Sequence, residues 1–178
     1  TLPPANTPSD FTPLTITRGI VLTITQDADN YLWLGTDEGG ISRLNPARNH
    51  ITHFRHREGD STQLPSNIIQ DIHSDVHGNL WVASDHGGLS LFDSKSQTFK
   101  TIKHHPYDIT SLISNQLRKI FEDKNGHLWI GAFPSGVNFY DAHKANITRL
   151  EYRPDQKTSL SNGGVLCVFE DSQGIIWI

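Results

Sequence analysis

The sequence predicts an all-β fold assembled from repeated four-stranded units. Its four tryptophans recur at a constant interval of 48 residues: Trp33, Trp81, Trp129 and Trp177. No segment shows a sustained helical period of apolar residues. Four short strands repeated at this period are typical of β-propeller blades. We therefore predict a β-propeller fragment of about three and a half blades.

The first strand of each unit reads VLTIT, IQDIH, LRKIF or VLCVF. An aspartate follows it in every copy and begins a turn: Asp75–Gly78, Asp123–Gly126, Asp171–Gly174 and the variant Asp27–Asn30. Asp favours the first position of a type I turn and Gly the fourth. These aspartates are predicted to cap turns rather than to bind calcium, because the alternating carboxylates of a calcium loop are missing.

The second strand carries the repeated tryptophan, in YLWLGT, NLWVAS, HLWIGA and IIWI. A tight Gly-containing turn leads to the third strand, ISRLN, LSLFD or VNFYD, and a fourth strand follows. A residue found in every copy performs the same packing task in every copy. The tryptophans are therefore predicted to fill the space between blades; a carbohydrate-stacking platform is the alternative.

Residues 1–10 read as a linker and residues 11–178 as a partial propeller. The predicted blades are about 21–67, 68–115 and 116–163, with a half blade at 164–178. Phe11 to Thr17 is predicted to be an outer strand of the last blade of a longer ring. Propellers close with four to eight blades, so we expect this sequence to be part of a larger protein. As an isolated polypeptide it is expected to self-associate through unpaired strand edges.

Composition excludes several classes of function. Fifteen Lys and Arg against nineteen Asp and Glu give a net charge of −4 with no basic cluster, which argues against nucleic-acid binding. The apolar runs are too short to span a bilayer. One cysteine, Cys167, rules out an internal disulfide framework. The ten histidines show no converging ligand signature, so we predict neither a metal nor a cofactor.

The run IFEDKNGHLWIGAFPSGVNFYD, preceded by TSLISN, resembles the two-component regulator propeller repeat. ITQDADNYLWLGTDEGGISRLN and IHSDVHGNLWVASDHGGLSLFD match the same pattern, so the resemblance covers roughly residues 11 to 178. It implies the periplasmic sensor portion of an inner-membrane receptor that relays to a histidine kinase or a GGDEF diguanylate cyclase. In that setting the propeller is not an enzyme, and its ligand is a small molecule or an oligosaccharide.

A ligand site is expected where the copies differ, because residues shared by all copies are explained by the blade. The loops between second and third strands lie on one rim and read Asp37-Glu38, Asp85-His86 and Phe133-Pro134. Such a rim suits a polar ligand with one apolar face. The alternative is that these are solvated loop tips.

A second candidate lies on the first strands, which line the channel of a propeller. Arg118 and Lys119 lie near Asp71 in the predicted arrangement. They could bind a carboxylate or sulfate, Arg doing so with two parallel hydrogen bonds, or form a structural ion pair.

Two other functions compete with ligand sensing. A propeller enzyme resembling the streptogramin lyases would need a nonrepeating acid and base on one rim, and only Glu38 and His86 can be nominated. A protein-binding scaffold is the third hypothesis, since propellers present a broad face.

Overall fold

The computed structural model describes residues 15, 18–141, 144 and 146–178. Every regular element among them is a β-strand, and they contain no helix of the length and apolar character that crossing a membrane requires. The expected linker and nearly all of the expected outer strand at Phe11 to Thr17 lie outside the described residues.

Three antiparallel four-stranded sheets follow one another, each with its strands in chain order. The first sheet contains β1 (Val21–Gln26), β2 (Leu32–Thr36), β3 (Ile41–Leu44) and β4 (Ile51–Phe54). The second contains β5 (Ile69–Ser74), β6 (Leu80–Ser84), β7 (Gly88–Asp93) and β8 (Thr98–Ile102). The third contains β9 (Leu117–Glu122), β10 (Leu128–Ala132), β11 (Gly136–Asp141) and β12 (Asn146–Glu151). The predicted β-propeller fragment is thereby confirmed.

The last part of the chain forms a hairpin of β13 (Phe169–Glu170) and β14 (Ile176–Trp177). These strands are shorter than the predicted VLCVF and IIWI. A two-stranded ribbon has no third strand to extend its pairing, and such ribbons are marginal.

Successive sheets pack face to face, with the first strands β1, β5 and β9 adjacent to one another. The repeated tryptophan of one sheet contacts the next sheet along the chain: the Trp33 ring lies 4.8 Å from Phe92, and the Trp81 ring lies 5.4 Å from Tyr140. The core thus lies between blades, where apolar area from both is removed from water. Trp33 and Trp81 are buried as predicted, whereas Trp177 is 60% exposed.

The turn between second and third strands requires glycine. Gly40, Gly88 and Gly136 have φ of 74°, 84° and 120°. At each of them an added Cβ would collide with a carbonyl oxygen of the fourth strand. Glycine alone adopts this backbone conformation without strain. This explains why glycine recurs at this position in all three blades.

The aspartate-led turns are confirmed in their capping role. In the second blade, Asp75 Oδ1 accepts hydrogen bonds from the backbone N–H groups of His77 and Asn79, at 3.0 and 2.8 Å. Its Oδ2 accepts one from the indole Nε1–H of Trp81 at 2.9 Å. Burial opposes ionisation of Asp75, but these hydrogen bonds outweigh it and hold the pKa of the carboxyl below its ordinary value.

Candidate functional site

A bulge recurs in the first strand of each of the three four-stranded blades and changes the direction of a side chain there. Val21 pairs with Thr36 but Thr23 pairs with Gly35, so Leu22 is left over. The same shift in strand pairing occurs between Ile69 and Asp71. It also occurs between Leu117 and Lys119, where Arg118 has no paired residue on the neighbouring strand. A bulge bends the strand and re-aims the extra residue. Position 118 is thus a site where a side chain can leave the regular inside–outside alternation.

Arg118 uses this freedom to reach the rim loop of the preceding blade. Its Nη1 lies 3.3 Å from Oδ2 of Asp85, and its guanidinium carbon lies 5.7 Å from the ring centre of Phe133. Phe133 is 44% exposed. Two groups predicted separately from the sequence, the rim loops and the channel strand, therefore meet at one place between the second and third blades.

His86 and Gln116 complete this group. Nδ1 of His86 lies 2.9 Å from Oδ1 of Asp85, and its Nε2 lies 2.7 Å from the amide nitrogen of Gln116. An amide N–H donating to Nε2 leaves the ring proton on Nδ1, but this N–H is not aligned for a hydrogen bond with Asp85, whose buried Oδ1 accepts none from the described residues. We call Asp85, His86, Gln116, Arg118 and Phe133 the rim cluster.

The backbone holds the rim cluster in place on both sides. The N–H of Asp85 donates to the carbonyl of Ile68 at 3.0 Å, and the N–H of Phe133 donates to the carbonyl of Gln116 at 3.0 Å. The side chain of Asp85 is largely buried, while that of His86 is mostly exposed. The cluster thus combines a fixed carboxylate and guanidinium with an accessible imidazole and an accessible phenyl ring.

Lys119 does not join the rim cluster. Its Nζ lies 2.9 Å from Oδ2 of the buried Asp71, which also accepts hydrogen bonds from the Thr23 hydroxyl and the Ile120 N–H, both at 2.9 Å. Asp71 thereby connects the first strands of three blades. The Lys119–Asp71 contact is a structural ion pair, which was the alternative to anion binding in the sequence analysis.

Asp37 and Glu38 occupy the equivalent rim loop of the first blade. Asp37 Oδ1 accepts a hydrogen bond from the N–H of Ile20 at 2.7 Å. Glu38 is exposed. No hydrogen bond or ion pair within the described part of the chain connects either residue to the rim cluster.

His56 and His104 lie at equivalent positions of the first two blades, and the ring of each contacts the backbone. Nδ1 of His56 lies 2.8 Å from the carbonyl oxygen of Leu64, and Nδ1 of His104 lies 2.6 Å from that of Leu112. Each ring therefore donates to the loop that leads into the following blade. Among the described residues no group of three or more His, Cys, Asp or Glu side chains is arranged to hold a metal ion.

Gln116 is the member of the rim cluster that sequence reasoning missed. The repeat holds a usable signal, because the equivalent positions are Ile20, Ile68 and Gly164 and only this copy is polar. The bulge also has a signature. Ile69 and Ile72 are three residues apart, an odd spacing that a regular strand would place on opposite faces, yet both are buried.

Comparison with known proteins gives the family. The model of the two component regulator propeller matches residues 16–38, 63–86, 111–133 and 159–178, together about half of the chain. No curated protein matches the sequence.

Solved structures with this fold include two extracellular domains of hybrid two-component systems from Bacteroides thetaiotaomicron. One is 23% identical with a TM-score of 0.78 over 90% of this chain and 22% of its own. The other is 24% identical with a TM-score of 0.70 over 88% of this chain and 22% of its own. The chain thus spans about a fifth of the length of these domains.

Virginiamycin B lyase from Staphylococcus aureus shares the fold at 16% identity, with a TM-score of 0.59 over 88% of this chain and 47% of the lyase. At such identities the structural likeness shows the fold alone. The family follows from the repeats themselves: the chain belongs to the two component regulator propeller family.

Proposed function

We propose that this propeller segment is part of the extracytoplasmic sensor of a two-component receptor, and that its rim cluster contacts a small polar ligand such as an oligosaccharide. The observation that supports this is the convergence of five residues, of which all but Asp85 differ from their counterparts in the other blades. The Arg118–Asp85 ion pair and the contact of Arg118 with Phe133 occur at only one of the described blade junctions, so the blade structure itself does not require them.

The chemistry of the rim cluster favours a neutral, hydroxyl-rich ligand. Arg118 is already paired with Asp85, so its charge is largely balanced within the protein. The exposed face of Phe133 offers an apolar surface for a sugar ring. The Gln116 amide, which gives one N–H to His86, still offers its carbonyl oxygen and its second N–H to hydroxyl groups at the edge of the cluster.

The binding test uses isothermal titration with a panel of neutral mono- and oligosaccharides. His86→Ala and Phe133→Ala are expected to keep the fold and to weaken binding of any saccharide that the wild-type protein binds. Asp85→Ala is expected to do the same and also to free Arg118. Gln70→Ala is the matched control, because Gln70 is the bulge residue of the second blade and lies outside the cluster.

The result that contradicts the site is unchanged affinity in all three cluster variants. The rim residues would then be solvated loop tips. Turnover of a saccharide or of another small molecule would instead favour the enzyme hypothesis, with Glu38 and His86 as the first residues to mutate.

The receptor context is tested on the full-length protein in its own cells. We expect it in the inner membrane with this segment on the periplasmic side, accessible to protease added outside spheroplasts. Binding of the saccharide should then change the output of a kinase or a diguanylate cyclase. Protection of the segment in spheroplasts, with digestion only after lysis, would contradict this location.

A further inference from the structure

A cleft lies between the first two blades, on the face of the propeller opposite the rim cluster. It has a volume of about 770 Å³. The aspartate-led turns of both blades and the turn between β7 and β8 form its walls, and Arg43 of β3 lies within it. We call it the Arg43 cleft.

Arg43 is surrounded by aromatic rings rather than by polar partners. Its guanidinium carbon lies 4.7 Å from the ring centre of Tyr31, 5.1 Å from Trp33, 5.3 Å from Phe54 and 5.7 Å from Phe92. Its Nε is buried without a hydrogen-bond partner. Within the described residues the guanidinium takes part in no hydrogen bond and no ion pair. A buried donor without a partner is costly, and such a group in a native protein points to an unseen water or ion.

Arg43 also departs from the repeat. The equivalent residue in the second blade is Leu91, which packs against the core between the second and third blades. In the third blade it is Phe139, which contacts Trp129 of its own blade. Two of the rings around Arg43 depart from the repeat as well. Tyr31 corresponds to Asn79 and His127, and Phe54 corresponds to Ile102 and Leu150. Three changes at and around one guanidinium indicate a feature specific to the first blade.

The charges around Arg43 leave its own charge unpaired. Burial lowers the pKa of Arg43, and Tyr31 and Asp27 offset this effect only in part. Asp27 lines the cleft, but its Oδ2 accepts the indole N–H of Trp33 at 2.7 Å. Asp93 accepts hydrogen bonds from the Lys95 N–H and the Ser96 hydroxyl, at 2.9 and 2.8 Å.

Three further charged residues line the cleft. Lys95 and Lys100 are exposed and form no ion pair among the described residues. Asp29 is exposed at the same cleft. The three cations and the three carboxylates that line the cleft, Asp27, Asp29 and Asp93, balance in number, and among them only Arg43 is enclosed by aromatic rings.

We propose that the Arg43 cleft binds a small polar molecule through a carboxylate or sulfate group held by the guanidinium of Arg43. The planar fork of Arg matches the two oxygens of such a group, and the aromatic rings behind it restrict its orientation. Hydroxyl and amide groups on the walls, including Ser94 and Gln97, are placed to contact the neutral part of the ligand.

The experiment is isothermal titration of the protein with glucuronate, inorganic sulfate and glucose. Glucuronate or sulfate should bind at Arg43, whereas any glucose bound at the rim cluster should be unaffected by substitution of Arg43, because glucose lacks the anionic group. The stronger of the two anions identifies whether a carboxylate or a sulfate is preferred. Arg43→Leu, which restores the residue of the second blade, should lower the affinity about tenfold or more, as expected for loss of a charge-assisted hydrogen bond.

Two controls keep the test decisive. Arg43→Lys keeps the charge but loses the fork, so it should fold and bind more weakly than the wild type. Gln70→Ala, which lies outside both the rim cluster and the Arg43 cleft, should leave anion binding unchanged. The proposal is overturned if neither anion binds the wild-type protein, if Arg43→Leu weakens glucose binding as much as glucuronate binding, or if both Arg43 variants bind the anions as the wild type does. Arg43 would then serve only to pack the blades.

Discussion

The second blade and the terminal hairpin contain the same local motif in two different environments. In both, the aspartate accepts the indole N–H of the tryptophan six residues later at 2.9 Å: Asp75 from Trp81 and Asp171 from Trp177. In both, Oδ1 accepts two backbone N–H groups of the turn. Yet Trp81 is 4% exposed and Trp177 is 60% exposed.

The difference separates the contribution of local hydrogen bonds from that of packing between sheets. The hydrogen bonds form within seven consecutive residues and need no neighbour. Burial of the indole needs the following sheet, which contacts Trp81 through Tyr140. The opposite end of the fold shows the same dependence. Ile24 of β1 is 60% exposed, whereas its counterpart Ile72 of β5, which the preceding blade covers, is 3% exposed. The motif is therefore local, and its stabilising effect depends on packing.

The largest expected effect is the loss of the buried indole. Trp81→Ala should destabilise the protein by about 3–5 kcal/mol, because it removes apolar contacts and leaves a cavity between blades. Trp177→Ala should change the stability by only about 0.5 kcal/mol, as for most exposed positions. Urea denaturation followed by circular dichroism measures both. Equal effects would contradict the dependence on packing and favour an exposed, ligand-stacking role for the tryptophans.

The next effect concerns the hydrogen bonds. Asp75→Ala should cost about 1–3 kcal/mol, because the Trp81 indole N–H and two turn N–H groups lose their acceptor in a buried setting. Asp171→Ala should cost less, since water can replace the carboxylate around an exposed indole. The same denaturation experiment compares them, with Asp75→Asn as the variant of nearly unchanged shape. If Asp171→Ala proved as damaging as Asp75→Ala, the motif would stabilise the turn regardless of burial.

A smaller effect is expected from pH. Burial opposes ionisation of Asp75 and Asp123, but hydrogen bonds outweigh it and lower the pKa of each below the ordinary 3.8. A lowered folded-state pKa adds stability that is complete above the unfolded-state pKa and is lost as the pH falls through the folded-state pKa. The free energy of unfolding should thus fall as the pH is lowered from about 4. Asp75→Asn should make this fall less steep, and an identical pH profile in wild type and variant would contradict the assignment.

The weakest expected effect is self-association of the 178-residue polypeptide. Ile24 and Trp177 are exposed on two sheets whose counterparts in the other blades pack against a neighbour. Light scattering over a concentration series should detect reversible association, reduced by Trp177→Ser. A monomer at every concentration would contradict this expectation.

Most residues of the rim cluster could be predicted from the sequence, but their contacts with one another could not. Asp85, His86 and Phe133 are predicted from a rim loop whose sequence differs between copies, and Arg118 from its place on the first strand. The sequence did not bring them together, because a regular strand does not aim residue 118 at the rim. The bulge does, and the buried pair Ile69 and Ile72 shows that its signal was present in the odd apolar spacing.

The sequence by itself determined the repeat, the four-stranded blade and the aspartate-capped turns, because these depend on contacts between residues close along the chain. Only the tertiary structure decided which side chains meet across blades. It paired Lys119 with Asp71, directed Arg118 to Asp85, and left Arg43 among four rings without a polar partner. Residues at equivalent repeat positions are separated by a whole blade in sequence, so their contacts arise only when neighbouring blades pack and exclude water between them.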